Sequence, residues 1–263
     1  MLAQRVLSAV IGVPILLVVV WIGGLWFKAF VMLVVLLAAS EFFDLAGFRR
    51  KDPLFAFGIA ACLLLVVATA LGWSVNFALT LGIVLSLALP ILLPKRPGFM
   101  LHWVWLVGGI LYVGWLLSHA ILLRELPQGR EWVLLALLST FAVDIAAFFA
   151  GRRWGRRPLA PAISPAKTWE GAIGGFVAGG IISFLLSRLL GLPLTPLQAV
   201  ILGVLVGFWA QIGDLAESMI KRSVGVKEAG RLIPGHGGIL DRTDSVVFAI
   251  VVIYYYAALL GLS

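Results

Sequence analysis

Long apolar runs separated by short polar breaks organise this chain. Read run by run, they predict spans near residues 6–22, 26–45, 54–72, 75–93, 102–123, 132–150, 170–190, 196–219 and 245–262. A helix needs about 20 such residues to cross a bilayer. Gly23 and Gly24 make the only break within residues 1–45, so the count of nine rests on that pair. The pattern therefore predicts an all-α polytopic membrane protein of about nine transmembrane helices. Composition agrees: 62% of the 263 residues are hydrophobic, where a soluble domain has roughly 45–50%. Mean hydropathy is +1.10.

The first run is not expected to be a removable signal peptide. Arg5 precedes it, but no small-x-small cleavage pattern ends it, and Trp21 and Trp26 follow. The last span ends at Ser263, so no appended regulatory domain is expected. Cys62 is the single cysteine and lies within an apolar run, which excludes an intramolecular disulfide and suits a small packing residue.

The net charge of +8 would suit nucleic acid binding, but its distribution argues for topology instead. The N-terminus (Arg5), loop 2–3 (Arg49, Arg50, Lys51), loop 4–5 (Lys95, Arg96), loop 6–7 and loop 8–9 together hold 16 Lys and Arg. The opposite side holds only Lys28, Arg124, Arg130 and Arg188. The positive-inside rule then puts the N-terminus and the basic loops in the cytoplasm. Attraction to anionic headgroups follows as a by-product, and no nucleic acid partner is expected.

Acidic residues discriminate better, because that rule does not require them. Seven of the twelve fall between 144 and 244, at or beside the cytoplasmic ends of spans 6 to 9. The first five spans carry little besides Glu41 and Asp44. Residues 1–125 therefore read as scaffold with lipid or subunit contacts. Residues 126–263 read as the catalytic region, with cytoplasmic loops 151–169 and 220–244. The densest stretch is 214–244, where ten of 31 residues are charged. Charges at a membrane edge cost several kcal/mol unless paired, solvated or metal-bound.

Four constellations stand out. Asp214, Glu217, Ser218 and Lys221 occupy offsets 0, +3, +4 and +7, which fall on one helix face, with Glu217 and Lys221 in the favoured ion-pair order. A plain salt-bridged helix end is the alternative. The second is Pro234-Gly235-His236-Gly237-Gly238, whose backbone can turn sharply and offer N–H groups to an anion, or serve as an ordinary interhelical turn. It is neither a Walker loop nor a dinucleotide fingerprint.

In the third, Asp241 can cap the last span, with Asp244 in its first turn. Two aspartates together with those of span 8 also suit a hard cation such as Mg²⁺. No Cys/His set suits structural zinc. The fourth runs from the intramembrane Asp144 to Gly171. Ser164-Pro165 reads as the start of a helix, with Ser164 as N-cap. This leaves Lys167, Thr168 and Glu170 at a helix N-terminus, where phosphate binds readily. Asp144 reads as a functional carboxylate or as an interhelical hydrogen-bonding group. His102, His119 and Tyr254 to Tyr256 read as interface or packing residues.

Hard-metal carboxylates, a glycine loop and several cations at a membrane surface imply metal-dependent phosphoryl or nucleotidyl transfer to a lipid. Ser218-x-x-Lys221-Arg222, Lys227, and Pro234-Gly-His-Gly-Gly-x-x-Asp241-Arg242-x-Asp244 closely resemble the signature of the phosphatidate cytidylyltransferases, the CDP-diacylglycerol synthases. The Ser164–Gly171 block resembles a second stretch of that family. The match is dense from about 144 to 245, with one departure: Glu228 stands where the family usually has aspartate. Moving the carboxylate by one methylene argues against direct metal binding by Glu228.

The resemblance implies that CTP and phosphatidate give CDP-diacylglycerol and pyrophosphate, with Mg²⁺ and a second cation for which K⁺ is a candidate. It implies a homodimer in the bilayer of a bacterial inner membrane, with its active site facing the cytoplasm. Asp214 and Asp241 would hold metal, with Asp144, Glu217 and Asp244 close by. Lys167, Lys221, Arg222 and His236 would hold phosphates, and the 235–238 backbone would close over CTP. Lys227, Arg242, Ser164, Thr168 and Glu170 complete the expected substrate contacts. A CTP-dependent lipid-alcohol kinase and an ion-coupled transporter are the alternatives.

Overall fold

The computed structural model describes residues 2–92, 98–230, 232, 233, 235 and 237–262. Among them, nine helices follow the nine apolar runs. They are α1 (Leu2–Ile22), α2 (Gly24–Leu45), α3 (Pro53–Ala70), α4 (Val75–Leu92), α5 (Phe99–Glu125), α6 (Gly129–Trp154), α7 (Trp169–Leu189), α8 (Pro196–Ser223) and α9 (Leu240–Leu259). Seven are long and apolar enough to cross a membrane, while α1 and α4 contribute shorter apolar stretches. The doubtful first break is real, since Gly23 and Gly24 both adopt positive φ (66° and 51°) that ends α1 and starts α2.

Local chemistry sets most helix starts. Asp52 accepts the Leu54 amide with Pro53 at the first position of α3, and Thr195 with Gln198 forms a capping box before Pro196 of α8. One expected start is corrected. Ser164 does not cap α7. Ser164–Thr168 is a short strand, β2, paired antiparallel with β1 (Pro158–Ala160), and Thr168 is the N-cap, its side chain accepting from Gly171 N. Proline disfavours the α conformation of the residue before it, so Ser164-Pro165 reads better as extended chain.

The chain forms two compact units: residues 1–121 with 228–241, and residues 122–227 with 242–263. In the first, Phe43 is fully buried and meets Phe42, Phe48 and Phe55 edge-on. A Cβ at Gly58 or Gly109 would come within 2.6 Å of its ring, so these glycines let α3 and α5 close upon α2. Beside Gly109, α5 passes through a π-helical segment, Ile110–Trp115. In the second unit small residues form the seams. Gly171 and Gly174 face Ala147 and Ala150 of α6, while Gly179 meets Gly203 of α8 backbone to backbone. Such close approach is how helices associate where no hydrophobic driving force separates protein from lipid. Gln211 of α8 locks the seam by donating to Ala172 O (3.2 Å) and Gly207 O (3.0 Å).

Candidate active site

The seams of the second unit bring together groups far apart in sequence. α6 supplies Asp144, the β-hairpin supplies Lys167, α8 supplies Asp214, and α9 supplies Arg242 and Asp244. Lys167 Nζ lies 2.6 Å from Asp214 Oδ2, both side chains partly exposed. Asp144 interacts electrostatically with Asp214, Lys167 and Arg242, and Asp244 with Asp214, Asp144 and Lys221. Gly213 explains how α9 comes so close to α8: a Cβ there would run into the Asp244 carbonyl and the Phe248 ring.

The α8 face divides in two. Asp214 and Ser218 are partly exposed, and the Ser218 hydroxyl donates to Asp214 Oδ1 over a long 3.4 Å. Glu217 is fully buried and ion-paired with Lys221, itself 9% exposed. Removing one partner of such a pair costs about 3–5 kcal/mol, because the other charge stays buried. Arg222 is exposed and holds its own loop, donating to Val226 O (2.8 Å) and Ile163 O (3.4 Å). Lys227 and Glu228 are exposed.

In the hairpin region, Glu170 Oε2 accepts the amides of Arg156 (3.0 Å) and Arg157 (3.3 Å), so that carboxylate fixes the arginine turn. Thr168 is occupied as the cap of α7, and Ser164 sits half-buried in β2. Of the hairpin residues, Lys167 is the one the structure places on a site carboxylate.

An all-oxygen carboxylate set suits a hard divalent cation, so Asp144, Asp214 and Asp244 fit Mg²⁺ by chemistry. Among the described residues no three His, Cys, Asp or Glu side chains already converge as a metal cage. Lys167 is the cation seen against Asp214.

In the first unit, residues 229, 230 and 237–240 lie around two carboxylates. Asp241 Oδ2 accepts from Ala229 N (2.9 Å) and Gly238 N (2.8 Å). Glu41, reaching over from α2, accepts from Ile239 N (3.1 Å), just before α9, and from Leu240 N (2.8 Å), its first residue. The loop turns through positive φ at Gly235 (78°) and Gly237 (83°), closed by an Ile233 N to Gly237 O bond of 2.8 Å. His236 lies outside the described residues. Sequence reasoning passed over Glu41. Its one signal was an acid in the apolar front half, where an uncompensated carboxylate is costly.

A family model described as the cytidylyltransferase family matches residues 3–260. The chain is 35% identical to a phosphatidate cytidylyltransferase of Brucella suis over 98% of its own length and 94% of that protein's. It is 35% identical to one of Pseudomonas aeruginosa over 99% and 97%. A third relative, the phosphatidate cytidylyltransferase of Synechocystis, is 31% identical over 98% and 97%. Nothing in these names favours a lipid kinase or a transporter.

Proposed function

The chain belongs to the cytidylyltransferase family, and from that premise we propose that it transfers the cytidylyl group of CTP to phosphatidate, giving CDP-diacylglycerol and pyrophosphate. The observation that carries this reading is the end-to-end family match over a chain whose carboxylates and lysine gather in one unit.

In this reaction the phosphatidate phosphate attacks the α-phosphorus of CTP. A new P–O bond forms as the α–β bond breaks, and pyrophosphate leaves with its electron pair. The attacking oxygen is already anionic, so no strong general base is required. Catalysis then rests on positioning and on neutralising charge. Asp214, with Asp144 and Asp244, would hold Mg²⁺, which when bound would supply charge neutralisation for the triphosphate. Lys167 and Arg222 would hold phosphate oxygens, with Lys221 contributing charge from its pair with Glu217. The Gly235–Gly238 backbone would lie against CTP. Asp241, expected as a second metal ligand, has a distinct task supported by its Oδ2 contacts: it shapes the loop. The excess of Lys and Arg in alternate loops supports a cytoplasmic active site in a multi-pass membrane protein.

CTP labelled separately at the α- and γ-phosphates, offered with phosphatidate vesicles, tests the reading. Lipid that acquires only the α-label supports cytidylyl transfer. Lipid that acquires the γ-label overturns it in favour of a kinase.

A further inference from the structure

The glycine loop has an anchor outside the catalytic carboxylates. Both oxygens of Glu41 are used on backbone, Oε1 on Ile239 N and Oε2 on Leu240 N, across almost 200 residues of sequence. The glycines on either side fit this one group: a Cβ at Gly230 or at Gly238 would collide with the Glu41 carboxyl. Gly238 is thus held from two sides, its amide donated to Asp241 and its α-carbon against Glu41. A charged acceptor makes stronger bonds to amide donors than a neutral one, and an apolar helix has no use for a carboxylate that does no work.

We infer that Glu41 is a positioning residue for the nucleotide, holding Gly230 and Gly238–Leu240 in the conformation that receives CTP. This rests on the proposed cytidylyltransferase reading. Glu41 touches no reacting atom in this account; it acts through the loop. Glutamine at 41 keeps one acceptor oxygen but loses the charge and the second acceptor, whereas alanine removes both.

The test uses the whole chain in phosphatidate-containing micelles. Glu41→Gln should raise KM for CTP about tenfold while KM for phosphatidate moves less than about twofold, and Glu41→Ala should raise it further. Hydrogen exchange provides an arm that does not depend on turnover. In both variants peptides covering 228–241 should exchange faster than in the parent, while peptides from 53–70 stay unchanged. Equal loss for both substrates, or exchange unchanged in the loop, overturns the inference. A parent protein that makes no CDP-diacylglycerol defeats the reading of the reaction instead, and the exchange arm then still decides whether Glu41 holds the loop.

Discussion

Asp214 and Glu217 are three residues apart on α8 and do different work. The sequence offsets put Asp214, Glu217, Ser218 and Lys221 on one face, yet a residue at +3 stands about 60° around the helix from its reference. That angle separates a buried side from an open one. Glu217 meets Lys221 in the interior, while Asp214 meets Lys167 at the opening. Two predictions follow from the difference. Lys221→Met should destabilise the protein by about 3–5 kcal/mol by stranding Glu217, and adding Glu217→Leu should recover much of that loss. Unfolding in detergent measures both. Lys167→Ala should leave the unfolding midpoint nearly unchanged, because its pair is partly exposed, but lower kcat about 10²-fold by removing the cation proposed to bind phosphate. The residue types of the site were legible in the sequence. The division of labour was not, because it depends on which arc of α8 its neighbours cover.

At the scale of elements, all nine helices could be read from the apolar runs, since length and hydropathy decide a membrane span. Three features could not. The β-hairpin before α7 rests on a pairing between segments of three and five residues, too short to show in a hydropathy reading. The π-helical segment of α5 leaves no trace in hydropathy; it sits where Gly109 meets Phe43 and Gly114 meets Cys62 of α3. The anchor of the 228–241 loop comes from α2, and long-range contacts of a single carboxylate leave no periodic signature. The glycine seams give the clearest test at this scale. Gly179→Leu would force its side chain into the Gly203 backbone and should separate α7 from α8. Because overpacking costs roughly 1–3 kcal/mol or more, the variant should show a lower melting temperature and lose activity only in step with folded protein. Gly180→Leu, where the added Cβ meets its nearest neighbours at 3.4 Å or longer, should be milder.

For the whole molecule, the alternating basic loops predict one orientation. Cysteine placed at the exposed Arg156 should react with a membrane-impermeant maleimide only from the cytoplasmic face, and cysteine at Pro127 only from the opposite face. The native Cys62 is buried and should give little background. Chelation of divalent cations should abolish turnover, and Mg²⁺ should restore it, if the carboxylates of α6, α8 and α9 act as proposed. The central claim is that this cytidylyltransferase-family chain runs its reaction from the Asp214 cluster. The most direct measurement is transfer of α-labelled cytidylyl to phosphatidate by the parent protein and by Asp214→Asn, both substrates saturating and folding checked by melting temperature. The account predicts labelled CDP-diacylglycerol from the parent and a rate at least about 10²-fold lower from a stably folded Asp214→Asn. Unlabelled lipid from the parent, or an Asp214→Asn protein with full activity, would contradict it.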